Sequence, residues 1–150
     1  MVSHRNWLSY HQAISQLYTL SKAEKVLQLS SISFDIFVEE LTASLFSGGT
    51  LVLSSAESLL DCKQFWDALA KYQITIASLP TAFWHELCVD PFLKEMTKPD
   101  ALRLIVTGGE AMSASHLETW LHSAPDNIQL LNTYGPTEST VIATSFDVSQ

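Results

Sequence analysis

At 150 residues, 47% hydrophobic and only 16% charged, the chain can bury one sizeable core and falls outside the disordered class. Its net charge of −8, with 8 scattered basic residues, argues against nucleic acid or an anionic membrane as a partner. No apolar run approaches the ~20 residues of a transmembrane helix and no signal peptide is visible, so the expected location is the cytoplasm.

In chain order, Trp7, Tyr10, Ile14 and Leu17 fall on one helical stripe, which predicts a helix over 6–18. A short strand is predicted at 26–29. Asp35 then opens a helix as N-cap, with Ile36, Leu41 and Leu45 inward and Gly48-Gly49 as its stop. Residues 50–53 read as a strand and 61–72 as a helix marked by Phe65, Trp66 and Leu69. A buried strand at 74–79 ends at Pro80, followed by a helix over 83–89 and a Pro-bounded segment at 91–99. Residues 102–107 predict a strand, 113–122 a helix and 129–133 a strand. Strands begin about every 25 residues, the length of a βα unit, so the expected class is α/β: alternating strands and helices forming a mostly parallel sheet with flanking helices. Sites in such sheets lie at the carboxyl ends of strands, here near 29–35, 78–81, 107–111 and 133–138.

The chemistry concentrates in those ends. Asn132-Thr133-Tyr134-Gly135-Pro136-Thr137-Glu138 sets a flat ring beside a Gly-Pro turn, with a hydroxyl and a carboxylate directly after. Tyr134 can stack on a base and Asn132 can pair with its edge. Thr137 and the N–H groups after the turn can reach a phosphate, and Glu138 offers the hard oxygen that Mg²⁺ prefers. The alternative reading is a plain β-turn with Thr137 and Glu138 solvated.

With Thr107-Gly108-Gly109-Glu110-Ala111, Ser33-Phe34-Asp35-Ile36-Phe37-Val38-Glu39-Glu40, Leu45 to Leu53, Ile74 to Thr81 and the opening Met1 to Asn6, this run resembles the adenylation domain of nonribosomal peptide synthetases, in the adenylate-forming superfamily. The resemblance runs from end to end. It implies an enzyme that joins an amino acid to the α-phosphate of ATP and then loads the phosphopantetheine thiol of a carrier protein. The family's Gly-rich phosphate loop has no counterpart here. Nor do its ribose-binding Asp, its hinge or its catalytic Lys. The expectation is therefore a partial domain over 1–150, part of the large N-terminal subdomain, with the rest of its own adenylation domain and a peptidyl carrier domain as partners.

Carried over residue by residue, the resemblance implies that Gly109, Glu110 and Ala111 form one face of an adenine slot and Tyr134 the other. Asn132, Thr133 and Gly135 complete the nucleotide site, Thr137 bonds the α-phosphate and Glu138 holds Mg²⁺. Asp35 would pair with the substrate's α-ammonium; the alternative is that it only caps its helix. The side-chain pocket would be lined by Ile36, Glu39, Ser78, Val106, Gly108, Thr133, Val141 and Ile142. Glu39 lies one helical turn from Asp35, so both carboxylates are expected on the same side. A carboxylate in an otherwise apolar cavity calls for a cation, and Gly108 is expected to leave room for a long side chain. Lysine or ornithine is the substrate this favours, the alternative being that Glu39 meets solvent or a basic residue elsewhere.

Other patterns fail. His85-Glu86-Leu87-Cys88-Val89 lacks the second His of a zinc-protease helix, and no GxSxG elbow occurs. Cys62 and Cys88, without a CxxC or a His pairing, are expected to be buried free thiols. His4 reads as a loop residue, and His116 and His122 as residues of a solvated helix. Within the superfamily the competing reading is an acyl- or aryl-CoA ligase, which Asp35 opposes because it would repel a carboxylate substrate. A non-catalytic remnant or interaction fragment is the alternative of another class.

Overall fold

The structure, a computed structural model, describes residues 1–54, 61–95, 99–124 and 127–149. Six strands form one sheet in the order β2-β1-β3-β4-β5-β6. They are β1 (Lys25–Gln28), β2 (Thr50–Leu53), β3 (Ile76–Pro80), β4 (Leu104–Gly108), β5 (Gln129–Tyr134) and β6 (Thr144–Asp147). The first five pair in parallel, as their spacing predicts, and β6 closes the edge antiparallel to β5. The final strand carries no sequence signal: three of its four residues are exposed, so no apolar alternation marks it.

Successive strand residues point to opposite faces, and both faces are buried. On one side Leu27, Ala77, Leu79, Ile105 and Leu130 meet α3 (Cys62–Tyr72), α4 (Thr81–Val89) and α6 (Ala114–Ser123) through Phe65, Trp66, Leu69, Trp84, Leu87 and Trp120. On the other, Val26, Ile76, Leu104, Val106 and Leu131 meet α1 (His4–Leu17) and the helical segment after β1 through Tyr10, Ile14, Tyr18 and Ala43. Asp61 caps α3 by accepting from the Gln64 N–H at 2.7 Å. Of the Pro-bounded segment, Phe92–Glu95 forms the short helix α5, and residues 96–98 lie outside the described residues.

Three sequence expectations are corrected. The α1 stripe ends on buried Tyr18, while Leu17 is exposed, because the buried face runs Tyr10, Ile14, Tyr18 in steps of four and the Tyr18 N–H keeps the ordinary helical bond to Ile14. His4 is the first helical residue, one past the Ser3 cap. The helix after Asp35 is α2 (Ile36–Leu41) continued as a π-helical turn, Thr42–Phe46. Glu39, Glu40, Ala43 and Ser44 face inward, a stripe in steps of four, so Leu45 lies beside it and points to solvent.

Candidate active site

The sheet order reverses between β1 and β3, which makes that junction a topological switch point and the place for a crevice. The loop leaving β1 is pinned there by Glu40. This fully buried side chain accepts the N–H groups of Leu29 at 3.0 Å and Ser30 at 2.9 Å through Oε1. Burial pushes its carboxyl above the ordinary range, against the lowering effect of those two bonds. With the loop fixed, Asp35 stands at the start of α2.

Asp35 does not cap that helix. Its backbone is itself helical and its side chain makes no cap bond. Instead Oδ2 accepts the Thr137 hydroxyl at 2.7 Å, across 102 residues of chain. The two line a cavity of about 280 Å³ with Val2, Ser3, Trp7, Thr140 and Val141.

Glu39 occupies a different cavity. It is 3% exposed and lines a space of about 60 Å³ shared with Ile36, Ser78, Val106, Gly108, Thr133, Val141 and Ile142. All eight pocket positions of the sequence reading are thus brought together. The expected joint facing of Asp35 and Glu39 into one space is corrected: Val141 borders both cavities, and neither carboxylate lines the other's.

The surroundings of Glu39 are not purely apolar either. Its Oε1 accepts the Ser78 hydroxyl at 2.6 Å and the Tyr18 hydroxyl at 3.1 Å. The Tyr10 hydroxyl is buried and makes no bond of its own. Burial raises the Glu39 carboxyl to about 7, more than the hydroxyl bonds from Ser78 and Tyr18 lower it. Burial, then the nearby Glu39 charge, likewise pushes the Tyr10 and Tyr18 phenols well up. These two tyrosines escaped the sequence reading. Their only signal is a pair of hydroxyl-bearing rings on or beside the buried stripe of α1.

Gly108 also differs from expectation. A Cβ there would stand 2.6 Å from both the carbonyl oxygen and Oγ1 of Thr133. The missing side chain accommodates β5, and the space is already filled. Gly135 is constrained in the same way, since a Cβ would run into the Val141 carbonyl oxygen. The backbone there is tight. Thr140 and Val141 have φ of 70° and 68°, and the Ile142 N–H bonds to the Thr140 carbonyl, a three-residue turn centred on a β-branched residue. Gly135→Ala should accordingly lower the melting temperature of the intact protein by roughly 5–10 °C, from an overpacking cost of ~2–3 kcal/mol. An unchanged melt would show that this segment yields freely.

The nucleotide-type residues lie at the next strand ends. Gly108 pairs with Thr133, so Gly109 and Tyr134 leave neighbouring strands one residue later. Gly109 has φ of 93°, a left-handed conformation suited to glycine. Thr81 holds the turn by donating its hydroxyl to the Gly108 carbonyl at 2.9 Å. Gly109 and Glu110 line a third cavity, of about 420 Å³, with Ser30, Ser31, Phe34 and Thr81. Tyr134 is 69% exposed, a free ring face, and Asn132 is half-buried on β5. Ala111, Thr137 and Glu138 are exposed. No group of three or more His, Cys, Asp or Glu side chains suited to a metal occurs among the described residues. Glu138 therefore fits Mg²⁺ only as one ligand beside phosphate oxygens and water.

His4 lines the Asp35 cavity, whereas His85, His116, His122 and both thiols line none of the three cavities. His116 is half-buried and stacks on His85 at 4.2 Å, not solvated as expected, because α4 and α6 pack together there. His122 is exposed, in keeping with its expected place. Both thiols are free; Cys88 is buried and Cys62 half-buried, with burial raising them to about 12 and about 11.

A mostly parallel α/β sheet with carboxylates, hydroxyls and an exposed aromatic ring at the carboxyl ends of its strands is of the open-sheet class, in which ligands are held at those ends. The chain belongs to the AMP-binding enzyme family, whose description matches residues 1–150. It is 40% identical over 144 residues to an isonitrile lipopeptide synthase of Mycobacterium tuberculosis, covering 95% of this chain and 6% of that protein. It is 35% identical over 147 residues to an isonitrile lipopeptide synthase of Streptomyces coeruleorubidus, covering 98% and 10%. The chain thus spans a tenth or less of the length of these relatives. A solved structure, holo-PA1221, is described as an NRPS protein containing adenylation and PCP domains bound to a vinylsulfonamide inhibitor. It matches with a TM-score of 0.73 at 27% identity, over 85% of this chain and 21% of that one. No helix among the described residues is long and apolar enough to cross a membrane.

Proposed function

We propose that this chain forms the substrate-binding part of an amino-acid adenylation domain, acting in the cytoplasm with the rest of that domain and a carrier protein. The observation that carries the reading is Asp35, a carboxylate lining a cavity with Thr137 and bonded to the hydroxyl of that Thr137-Glu138 run. An α-ammonium on Asp35 would direct the substrate carboxylate toward a phosphate held by Thr137. The carboxylate oxygen then attacks the α-phosphorus of ATP, the bond to the bridging oxygen breaks, and aminoacyl-AMP and pyrophosphate result. The carrier thiol subsequently displaces AMP to give a thioester. Positioning and charge stabilisation supply the catalysis. Gly109 to Ala111 and Tyr134 would flank the adenine, Asn132 would meet its edge, and Mg²⁺ at Glu138 would offset phosphate charge.

For the side chain, the reading favours a terminal cation such as lysine or ornithine over Glu39. Glu39 is the charged side chain among the residues lining the cavity of about 60 Å³. A cation would hold Glu39 ionised despite its burial.

Amino-acid-dependent pyrophosphate exchange in the intact protein tests both levels. Asp35→Asn should weaken every amino acid, because all share the α-ammonium. Glu39→Gln should lower kcat/KM for lysine or ornithine by ~30-fold or more, the cost of truncating one partner of a desolvated pair. Norleucine should lose far less. Equal losses for lysine and norleucine would remove the cationic side chain from the reading, whereas exchange indifferent to Asp35→Asn would remove the amino acid itself.

A further inference from the structure

The Thr137–Asp35 contact sets Asp35 and the expected phosphate in competition for one proton. A threonine hydroxyl carries a single hydrogen. In this structure it is directed at Asp35 Oδ2, 2.7 Å away. While it points there it cannot be donated to a phosphate. Resting on the reading of the site given above, we propose that the Thr137–Asp35 hydrogen bond is a latch coupling the ammonium and nucleotide subsites.

The coupling is electrostatic and local. A carboxylate is a strong acceptor because of its charge. An ammonium bound to Asp35 shares that charge and weakens its hold on the Thr137 hydroxyl, which then turns to a phosphate oxygen. The reverse also holds by linkage: a phosphate that draws the hydroxyl away frees an acceptor site on Asp35 for the ammonium. Each ligand thereby tightens the other. Asp35 and Thr137 line the same cavity, and the Thr137–Ser139 turn stands directly after Pro136, so a hydroxyl rotation needs no backbone movement. Thr137 is exposed and Asp35 half-buried, which keeps the coupling modest.

A double-mutant cycle on AMP binding to the intact protein tests the latch without knowledge of the cognate amino acid. Asp35→Ala deletes the acceptor and should tighten AMP by about fivefold when Thr137 is present, the effect of freeing a partly exposed bond to a charged group. In a Thr137→Val background the same substitution should gain less than twofold, because only the removal of a negative charge remains. Thr137→Ser keeps the hydroxyl and should restore the full gain. Asp35→Asn serves as a second acceptor variant: it retains a weaker acceptor and should give an intermediate gain. Equal gains with Thr137 and in the Thr137→Val background, or no gain with Thr137 present, would overturn the latch while leaving AMP binding intact. Failure of the unsubstituted protein to bind AMP would instead overturn the nucleotide-site reading, and the latch with it.

Discussion

Replacing Glu39 with glutamine should stabilise the protein at pH 8 and give no such gain at pH 4. The carboxyl stands at about 7 in the fold, above its ordinary value of 4.5. Between those values the folded state binds more protons than the unfolded one, so stability falls as pH rises. The contribution of the protonated form is fully present below about 4.5 and is lost as pH passes through about 7. The span corresponds to about 3 kcal/mol at ~1.4 kcal/mol per pH unit. Glutamine keeps an acceptor for Ser78 and Tyr18 but buries an N–H₂ group, which offsets roughly 1 kcal/mol. A net gain of about 2 kcal/mol remains, or roughly 4–8 °C in melting temperature. Thermal melts of both forms across pH 4–8 check this, and parallel profiles would show that Glu39 stays ionised or neutral throughout.

Arg103→Met should destabilise the fold by about 2–3 kcal/mol, and adding Glu24→Met should return most of the loss. Glu24 is 5% exposed and receives Arg103 at 2.9 Å through Oε1 and the Thr75 hydroxyl at 2.6 Å through Oε2. Arg103 also donates to the Tyr18 carbonyl at 2.8 Å, fastening the end of α1 to the lower edge of the sheet. Removing the guanidinium alone strands a buried carboxylate, a loss of ~3–5 kcal/mol for a fully buried pair and less here because Arg103 is one-third exposed. Removing both groups leaves no unpaired charge. Burial pushes the Glu24 carboxyl up, but the bonds from Arg103 and Thr75 outweigh it and hold it below 4.5. Its stabilisation is therefore present above pH 4.5 and is lost as pH falls below that value. Denaturant melts between pH 3 and 6 should show this acid slope in the unsubstituted protein and a shallower one in Arg103→Met. A double variant no more stable than the single would refute the pair as the cause.

The parallel strands were legible because each is a short apolar run at regular spacing, and all but the edge strand β2 have buried residues on both faces. β6 was not, since Thr144, Ser145 and Phe146 are all exposed and only pairing with β5 makes them a strand. The π-helical turn after Leu41 also left no mark, and Leu45 points outward because the buried stripe is Glu39, Glu40, Ala43 and Ser44, polar residues that an apolar count passes over. In the crevice, Asp35, Glu39 and Ser78 were named because the resemblance implies them, and two of the three fall in the predicted strand ends at 29–35 and 78–81. Their bonding partners were not legible: Tyr18 lies 21 residues from Glu39, Ser78 lies 39 from it, and Thr137 lies 102 from Asp35. Hydrogen bonds over such separations depend on how the layers stack. A stripe or a motif carries no information about that.

The closeness of β4 and β5 at Gly108 bears on how this cavity could be reshaped. Because a Cβ there would meet a backbone oxygen of Thr133 as well as its hydroxyl, trimming Thr133 alone cannot make room for one. That seam is a fixed wall for anyone redesigning selectivity. The adjustable wall is α2, where Ile36 and Glu39 enter the cavity as side chains. Substitutions at those two positions and at Ser78 would reshape the cavity through side chains alone, while the strand backbones stay as they are.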